Sequence, residues 1–234
     1  MKKQLLISLI FLAARVISFA GDAAAFVDLG LSQDGKTYVF AEYGRTDKTF
    51  QGYAEIYTVD IAKNDFIKDG VFIIPPSVST ASKSGKTVFD ELYAKAEWYL
   101  KRFSLKPAAP ENLLFADTCN NSEFEKEIVF KDYESSTSEQ SLFYHIKLIK
   151  NVTGSGVSCQ SSFFIDLEKQ DENGKVITRN VVGSPAIKRK GVFDYKVNRV
   201  FSDKSGRNIV FVIEKLVEDS TGISVRYMVE TVSL

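Results

Sequence analysis

The chain has 234 residues, 30 basic and 30 acidic side chains, a single histidine and 44% hydrophobic residues. That balance argues against nucleic acid as a partner, because neutralising a phosphate backbone calls for clustered positive charge. The apolar content is ample for a packed core, and one histidine excludes a multi-histidine zinc site or a serine or cysteine triad built within one chain.

Residues 1–20, MKKQLLISLIFLAARVISFA, open with Lys2 and Lys3, continue through an apolar run and reach small residues at Ser18 and Ala20. This is the pattern of a cleavable export signal, so the mature chain is expected to begin at Gly21 and to be secreted or periplasmic. The run is short of the roughly 20 residues that span a bilayer, and Arg15 interrupts it. No later segment is apolar enough to span a membrane either. Losing the first 20 residues leaves 27 basic and 30 acidic side chains. Residues 21–234 are expected to form one mainly β domain, with a point of subdivision at the linker and helix over 75–110.

From Phe26 to Ile61 the chain reads as strands. In KTYVFAEY, Thr37, Val39 and Ala41 alternate with Tyr38, Phe40 and Glu42, and Asp34-Gly35 supplies the preceding turn. A second strand, Tyr53 to Ile61, follows a polar connection from Gly44 to Gly52 that is longer than a usual hairpin loop. Such loops carry binding residues, and Tyr43, Arg45 and Tyr53 are the ligand-contact candidates. Residues 75–86, PPSVSTASKSGK, form a Pro/Ser-rich connection. Beyond it Phe89, Leu92, Tyr93, Ala96, Leu100 and Phe103 recur at helical spacing, which predicts one amphipathic helix near 87–104 with Trp98 and Tyr99 at the edge of its stripe. Asp90 and Glu91 would fall in its first turn and Lys101 and Arg102 in its last, as the helix dipole prefers, and Pro107 prevents continuation.

Strand signals then return in EKEIVF, in SLFYHIKLI with Leu142, Tyr144, Ile146 and Leu148 on one face, and in SSFFIDLEK with Phe163, Ile165 and Leu167 on one face. Asn173-Gly174 marks a hairpin into VITRNVV, and GVFDYKV, RNIVFVIEKLV and ISVRYMVETV complete about a dozen strands. The fold class is mainly β: antiparallel strands in a sandwich or a partial propeller-like arrangement, with one helix.

LSQDGKTYVFAEYG, residues 31–44, is echoed by FSDKSGRNIVFVIEK, residues 201–215; aligning Gly35 with Gly206 places Lys36 on Arg207 and Phe40 on Phe211. Each copy reads as turn, strand, polar loop, strand. Locally the pattern resembles the hairpins of TolB-like propeller repeats, with Gln33 and Asp203 where those repeats carry proline. Two copies do not make a ring of four to eight blades, so the echo is read as a hairpin signal, expected to set the two ends side by side in one sheet. Over nearly all of residues 21–234, and most specifically in GDAAAFVDLGLSQDGKTYVFAEYG and YAEIYTVDIAKN, the chain resembles an uncharacterised family of secreted bacterial proteins seen notably in spirochaetes. The resemblance implies an envelope location and no assigned activity.

Other constellations carry little chemistry. Gly85-Lys86-Thr87 lacks the glycine five residues earlier that a phosphate-binding loop requires, Thr80 standing there. His145 alternates onto a face with Phe143, Lys147 and Ile149, a structural setting. Asp28, Asp34, Glu42, Glu55 and Asp60 crowd the first hairpins, as paired carboxylates of a glycosidase would, though 30 acids make such crowding ordinary. The basic run around Phe193 and Tyr195 (Lys188, Arg189, Lys190, Lys196, Arg199) reads as a solvated turn. Cys119 and Cys159, the only cysteines, are expected to be bridged in an exported protein, closing a loop worth roughly 4 kcal/mol, with two free buried thiols as the rival reading. No catalytic residue, metal site or cofactor is assigned. The expectation is a non-enzymatic exported protein that binds or scaffolds an envelope protein or a glycan; the alternative is a secreted carboxylate-dependent hydrolase such as a glycosidase.

Overall fold

Three antiparallel sheets and one α-helix form the regular structure of residues 22–117, 127–219 and 222–234, which the computed structural model describes. The first sheet runs in the order β1 (Ala25–Leu31), β2 (Thr37–Arg45), β3 (Gly52–Asp60) and β4 (Asp65–Ile74). Helix α1 (Gly85–Leu100) follows, and then β5 (Leu113–Ala116). The second sheet is built on β6 (Ile128–Lys131), β7 (Leu142–Thr153) and β8 (Gln160–Asp171), with β9 (Val176–Gly183) and β10 (Arg189–Lys190) both paired to β8. The third has the order β13 (Gly222–Ser233), β12 (Asn208–Asp219), β11 (Val192–Ser202) and β5, so β5 reaches past the whole second sheet to join it.

The layers follow from which faces are apolar. Val39, Ala41, Ala54 and Ile56 of the first sheet pack against Val88, Phe89, Leu92, Ala96, Tyr99 and Leu100 of α1. The opposite face of that sheet, with Tyr38, Phe40 and Val59, packs on Phe201, Val210, Val212 and Val229 of the third. The third sheet's other face, Ile209, Phe211 and Ile213 with Tyr195 and Val197, packs on Ile146, Phe163, Ile165 and Leu167 of the second. The order is therefore helix, first sheet, third sheet, second sheet: the sandwich of the two expected arrangements, with the third sheet central. β12 is buried on both faces, which is why Ile209 to Ile213 form an unbroken apolar run instead of an alternating one.

The helix starts two residues earlier than the spacing predicts. Ser84 is its N-cap, its hydroxyl accepting the Thr87 N–H at 3.1 Å, and a 3-10 turn over Lys101–Phe103 ends it in a left-handed Ser104. With these bounds Asp90 and Glu91 lie beyond the first turn. Gly85 is required by packing: a Cβ there would sit 2.5 Å from the Gly44 carbonyl oxygen, so the helix start rests directly on the β2 backbone. The aromatic stripe is mainly core, but Tyr93 is 39% exposed and Trp98 66% exposed.

Two expectations need correction. The echoed stretches lie in different sheets, the first in β1–β2 and the second in β11–β12, although their turns do meet. The Cys119–Cys159 bridge finds no support: Cys159 is a free, buried thiol whose Sγ lies 3.4 Å from the Val192 carbonyl, and Cys119 lies outside the described residues. The expected signal peptide also lies outside them. Among the described residues no helix is long and apolar enough to cross a membrane.

Candidate functional site

The two echoed turns share one design. Gly35 N–H donates to the Ser32 carbonyl and Gly206 N–H to the Asp203 carbonyl, while Ser32 N–H reaches Thr37 O and Asp203 N–H reaches Asn208 O. Both glycines, each the fourth residue of its turn, are left-handed, with φ of 69° and 67°, a region that glycine enters without strain. The polar residues are exchanged between the copies. In the first, Ser32 Oγ accepts Thr37 N–H and donates to Asp34; in the second, Asp203 accepts Asn208 N–H and the hydroxyl of Ser205. The same hydroxyl–carboxylate pair thus braces each turn from opposite ends.

The turns touch: the Asn208 side-chain amide donates to the Gly35 carbonyl at 3.0 Å. Around them opens a cleft of about 1110 Å³, lined by residues 31–36, 61–62, 106–109, 111–112, 134, 203–205, 207–208 and 233–234. Its third wall is positioned by paired bonds between Leu31 and Lys106, both 2.9 Å, and by Ala108 N–H on the Asp28 carboxylate. Leu31, Ile61, Pro107, Ala108 and Ala109 supply apolar lining. Lys36, Lys106, Lys204 and Arg207 are interspersed with Asp34, Glu111, Glu134 and Asp203.

Among them Asp34 is poorly suited to acid catalysis. The Ser32 hydroxyl, the Lys36 N–H and the Lys36 charge hold Asp34 below the usual carboxylate range. Asp203 is engaged by its own turn, accepting from Ser205 Oγ, Arg207 N–H, Asn208 N–H and the Asn208 amide. A glycosidase acid needs the opposite, a carboxyl kept protonated near neutral pH. Among the described residues no aromatic ring lines the cleft, so they offer sugars none of the stacking surface that tyrosine or tryptophan would provide.

The ligand-contact candidates from the sequence lie at the other end of the β2–β3 hairpin and do not converge. Tyr43 stacks on Phe89 of α1 at 5.3 Å. Tyr53, 3% exposed, points to the opposite face, where the Arg226 guanidinium lies 4.6 Å from its ring; burial raises its phenol well above the ordinary tyrosine range. Arg45 spans two loops, donating to Phe50 O at 2.7 Å and Ala81 O at 3.3 Å.

A charged junction lies where the N-terminal segment, the first sheet and the central sheet meet. Arg226 holds Asp22 through two hydrogen bonds of 2.7 and 3.0 Å. Glu42 is 2% exposed and accepts Tyr227 N–H at 2.6 Å, facing Glu55 across the β2–β3 pair. Burial pushes Glu42 up to about 7 against the pull of Lys215 and the Tyr227 N–H. Burial likewise lowers Lys215, whose attraction to Glu42 and Glu55 opposes the effect.

The remaining constellations are structural. Lys169 lies 3.1 Å from Ser135 Oγ, a serine–lysine contact. Although burial disfavours its charge, its hydrogen bonds to Asp132 and Tyr144 raise it above the usual lysine range, which favours the charged ammonium beside Ser135. His145 is paired with Glu127 at 2.9 Å on the outer face of the second sheet. The basic run is dispersed: Lys188 bonds Ser162, Arg189 lies over Phe163 and beside Glu230, Lys196 pairs with Asp117, and Arg199 lies over Phe26. Sequence reasoning found the two turns but missed Lys106, Glu111 and Glu134, whose segments carry only turn and linker signals.

Fold and cleft together define a mainly antiparallel β protein of three stacked sheets with a polar cleft at its turn end. Residues 39–233 match the model of a family described as a predicted secreted protein (DUF2259), and the chain belongs to that family. No curated protein and no solved structure matches it.

Proposed function

We propose that the protein is exported by a signal peptide over residues 1–20 and that residues 21–234 act as one non-enzymatic binding unit in the cell envelope, the turn-end cleft holding a charged segment of another envelope protein. An origin in the spirochaete envelope, and a kinship of the turns with TolB-type repeats, belong to the same reading. One observation carries it: among the described residues the cleft is lined by four basic and four acidic side chains interspersed with apolar ones. A polypeptide offers charges of both signs together with aliphatic side chains. A neutral glycan would leave those charges unanswered, and desolvating an unanswered charge costs affinity.

The test is site-specific photo-crosslinking in cells, with the reactive residue placed at Gln33 or Lys204 on the rim, or at Lys175 in the distant β8–β9 turn. A discrete adduct from the rim positions, absent from Lys175 and lost in the Lys204→Glu/Arg207→Glu variant, supports the reading. No rim adduct, or the same adduct from every position, sinks it.

A further inference from the structure

Residues 22–24 dock on β13, the edge strand of the central sheet. Ala23 forms a parallel bridge with Val225, in which Ala24 N–H donates to Val225 O at 3.1 Å and Val225 N–H to Asp22 O at 2.9 Å. The Arg226 guanidinium clasps the Asp22 carboxylate, and Asp22 and Ala24 are both buried. Two backbone bonds and one ion pair are a small attachment, and chain ends are among the first parts of a fold to open. Two residues further along β13, the Tyr227 N–H points to the same edge and is taken by the Glu42 carboxylate. The docked segment and Glu42 thus cover adjoining positions of one strand edge.

The groups around Glu42 come from every element packed on it. Glu55 stands directly opposite on β3, bonded to Tyr57, and Tyr53 of the same strand lies under the Arg226 guanidinium. Lys215 acts on Glu42 from β12, and Arg226 and the Tyr227 N–H act from β13. β1 offers the uncharged Phe26 across the strand pair. Arg189 of β10 also acts on Lys215 but is paired with Glu230. Glu42, Glu55 and Asp22 therefore face Lys215 and Arg226, and the charges are equal in number only while one acid keeps its proton. Ionisation of Glu42 gives Arg226 a second carboxylate to serve and leaves excess negative charge where little water reaches it. Of these acids only Asp22 can leave without parting two sheets, because it rides on the terminal segment.

We propose that Asp22–Ala24 is a pH-gated strap: it lies closed on β13 while Glu42 is protonated, and it lifts when Glu42 ionises and draws Arg226 from Asp22. Lifting bares the Val225 N–H and carbonyl on an edge strand. The sign follows from burial. The closed form holds the Glu42 carboxyl at about 7, whereas an opened junction returns it toward the ordinary 4.5. Closure is therefore fully favoured below about pH 4.5, weakens as pH rises through 7, and changes little beyond that.

The test is residue-resolved amide hydrogen exchange of isotope-labelled residues 21–234 from pH 5 to pH 8, corrected for the intrinsic rate of each amide. Protection at Ala24 and Val225 should fall at least about tenfold between pH 5 and pH 7 and then level off. The Leu31 and Lys106 amides, bonded to each other's carbonyls at the cleft, should keep theirs. Glu42→Gln, whose side-chain carbonyl still accepts the Tyr227 N–H, should hold the strap closed across the range, and Arg226→Gln should leave it open throughout. In the parent, the carbon NMR signal of the Glu42 carboxyl should titrate together with the loss of protection, a readout that needs no variant to fold. Protection at Ala24 and Val225 that ignores pH, a loss shared equally by Leu31 and Lys106, a Glu42 signal that does not titrate with it, or pH dependence retained in Glu42→Gln would each overturn the proposal.

Discussion

The meanders β1–β3 and β11–β13 begin from the same braced turn, yet they are used differently. In both, the residues after the turn alternate between a front face (Tyr38 and Phe40; Ile209 and Phe211) and a back face (Val39 and Ala41; Val210 and Val212). The front of the first packs on the back of the second, so the two are stacked in the same sense instead of facing each other. What stands behind each one sets its side-chain size. A helix lies against the first, and the back positions there include Ala41 and Ala54. Another sheet lies against the second, where Val212 stands in the place of Ala41 and Tyr227 in that of Ala54. A local turn therefore specifies a hairpin, while the neighbouring layer specifies its composition.

The largest departure from this parallel is Glu42, aligned with the fully buried Ile213 of the second copy. Its carboxyl, raised from 4.5 to about 7, binds its proton more tightly in the folded state than in the unfolded one. The stability this confers is therefore present below about pH 4.5 and is lost as pH rises through 7, a change of about 3 kcal/mol. Glu214 and Glu230, also raised by burial, act in the same direction. Asp34 and Asp60, held low by hydrogen bonds from Ser32 and Lys63, oppose it only in strong acid. Urea titrations at pH 5, 6, 7 and 8 should show a decline that Glu42→Gln largely flattens; a flat parent profile would show that Glu42 is not the odd member of the pair.

A reciprocal exchange addresses the back faces. Ala41→Val introduces the bulk tolerated beneath a sheet into the space beneath α1, and Val212→Ala leaves a void between sheets; each should cost about 2 kcal/mol in urea unfolding. If both are neutral, the neighbouring layer does not dictate residue size. The turns give the next test. Asp203→Ala removes the acceptor for two backbone N–H groups, a hydroxyl and an amide, and should cost about 2 kcal/mol. Asp34→Ala, in an open turn, should cost under about 1 kcal/mol. Equal losses would mean that the exchanged serine and aspartate are equivalent. Gly35→Ala and Gly206→Ala should each cost about 1 kcal/mol by thermal unfolding, since both place a Cβ at positive φ.

Much of the framework was legible because strands with one buried face alternate. β4 was not, because its pairing with β3 slips between Tyr57 and Val59, and a left-handed Asp69 breaks the period of two. β5 has only four residues, too few to show a period, and is defined by its pairing with β11. The cleft was illegible for another reason: its walls come from segments around residues 34, 107, 134 and 205, each of which reads locally as a turn or linker. Tyr43 and Tyr53 are close in sequence, yet Tyr43 is cross-strand from Ala54 while Tyr53 is cross-strand from Gly44, so strand alternation sends them to opposite faces. The disulfide expectation rested on cysteine number and compartment, and neither reports that Cys159 is enclosed beside β11.

Front-to-back stacking has no intrinsic end, unlike a two-fold pairing, because each added layer presents another front. In this chain α1 covers the back of the first meander and the second sheet covers the front of the second, so the stack ends at both sides. Undocking the helix would bare Val39, Ala41, Ala54 and Ile56, a surface of the kind that already receives an aromatic front within the molecule. The Ser84 cap and the bare glycine contact that seat α1 on the sheet thus also keep that apolar surface covered.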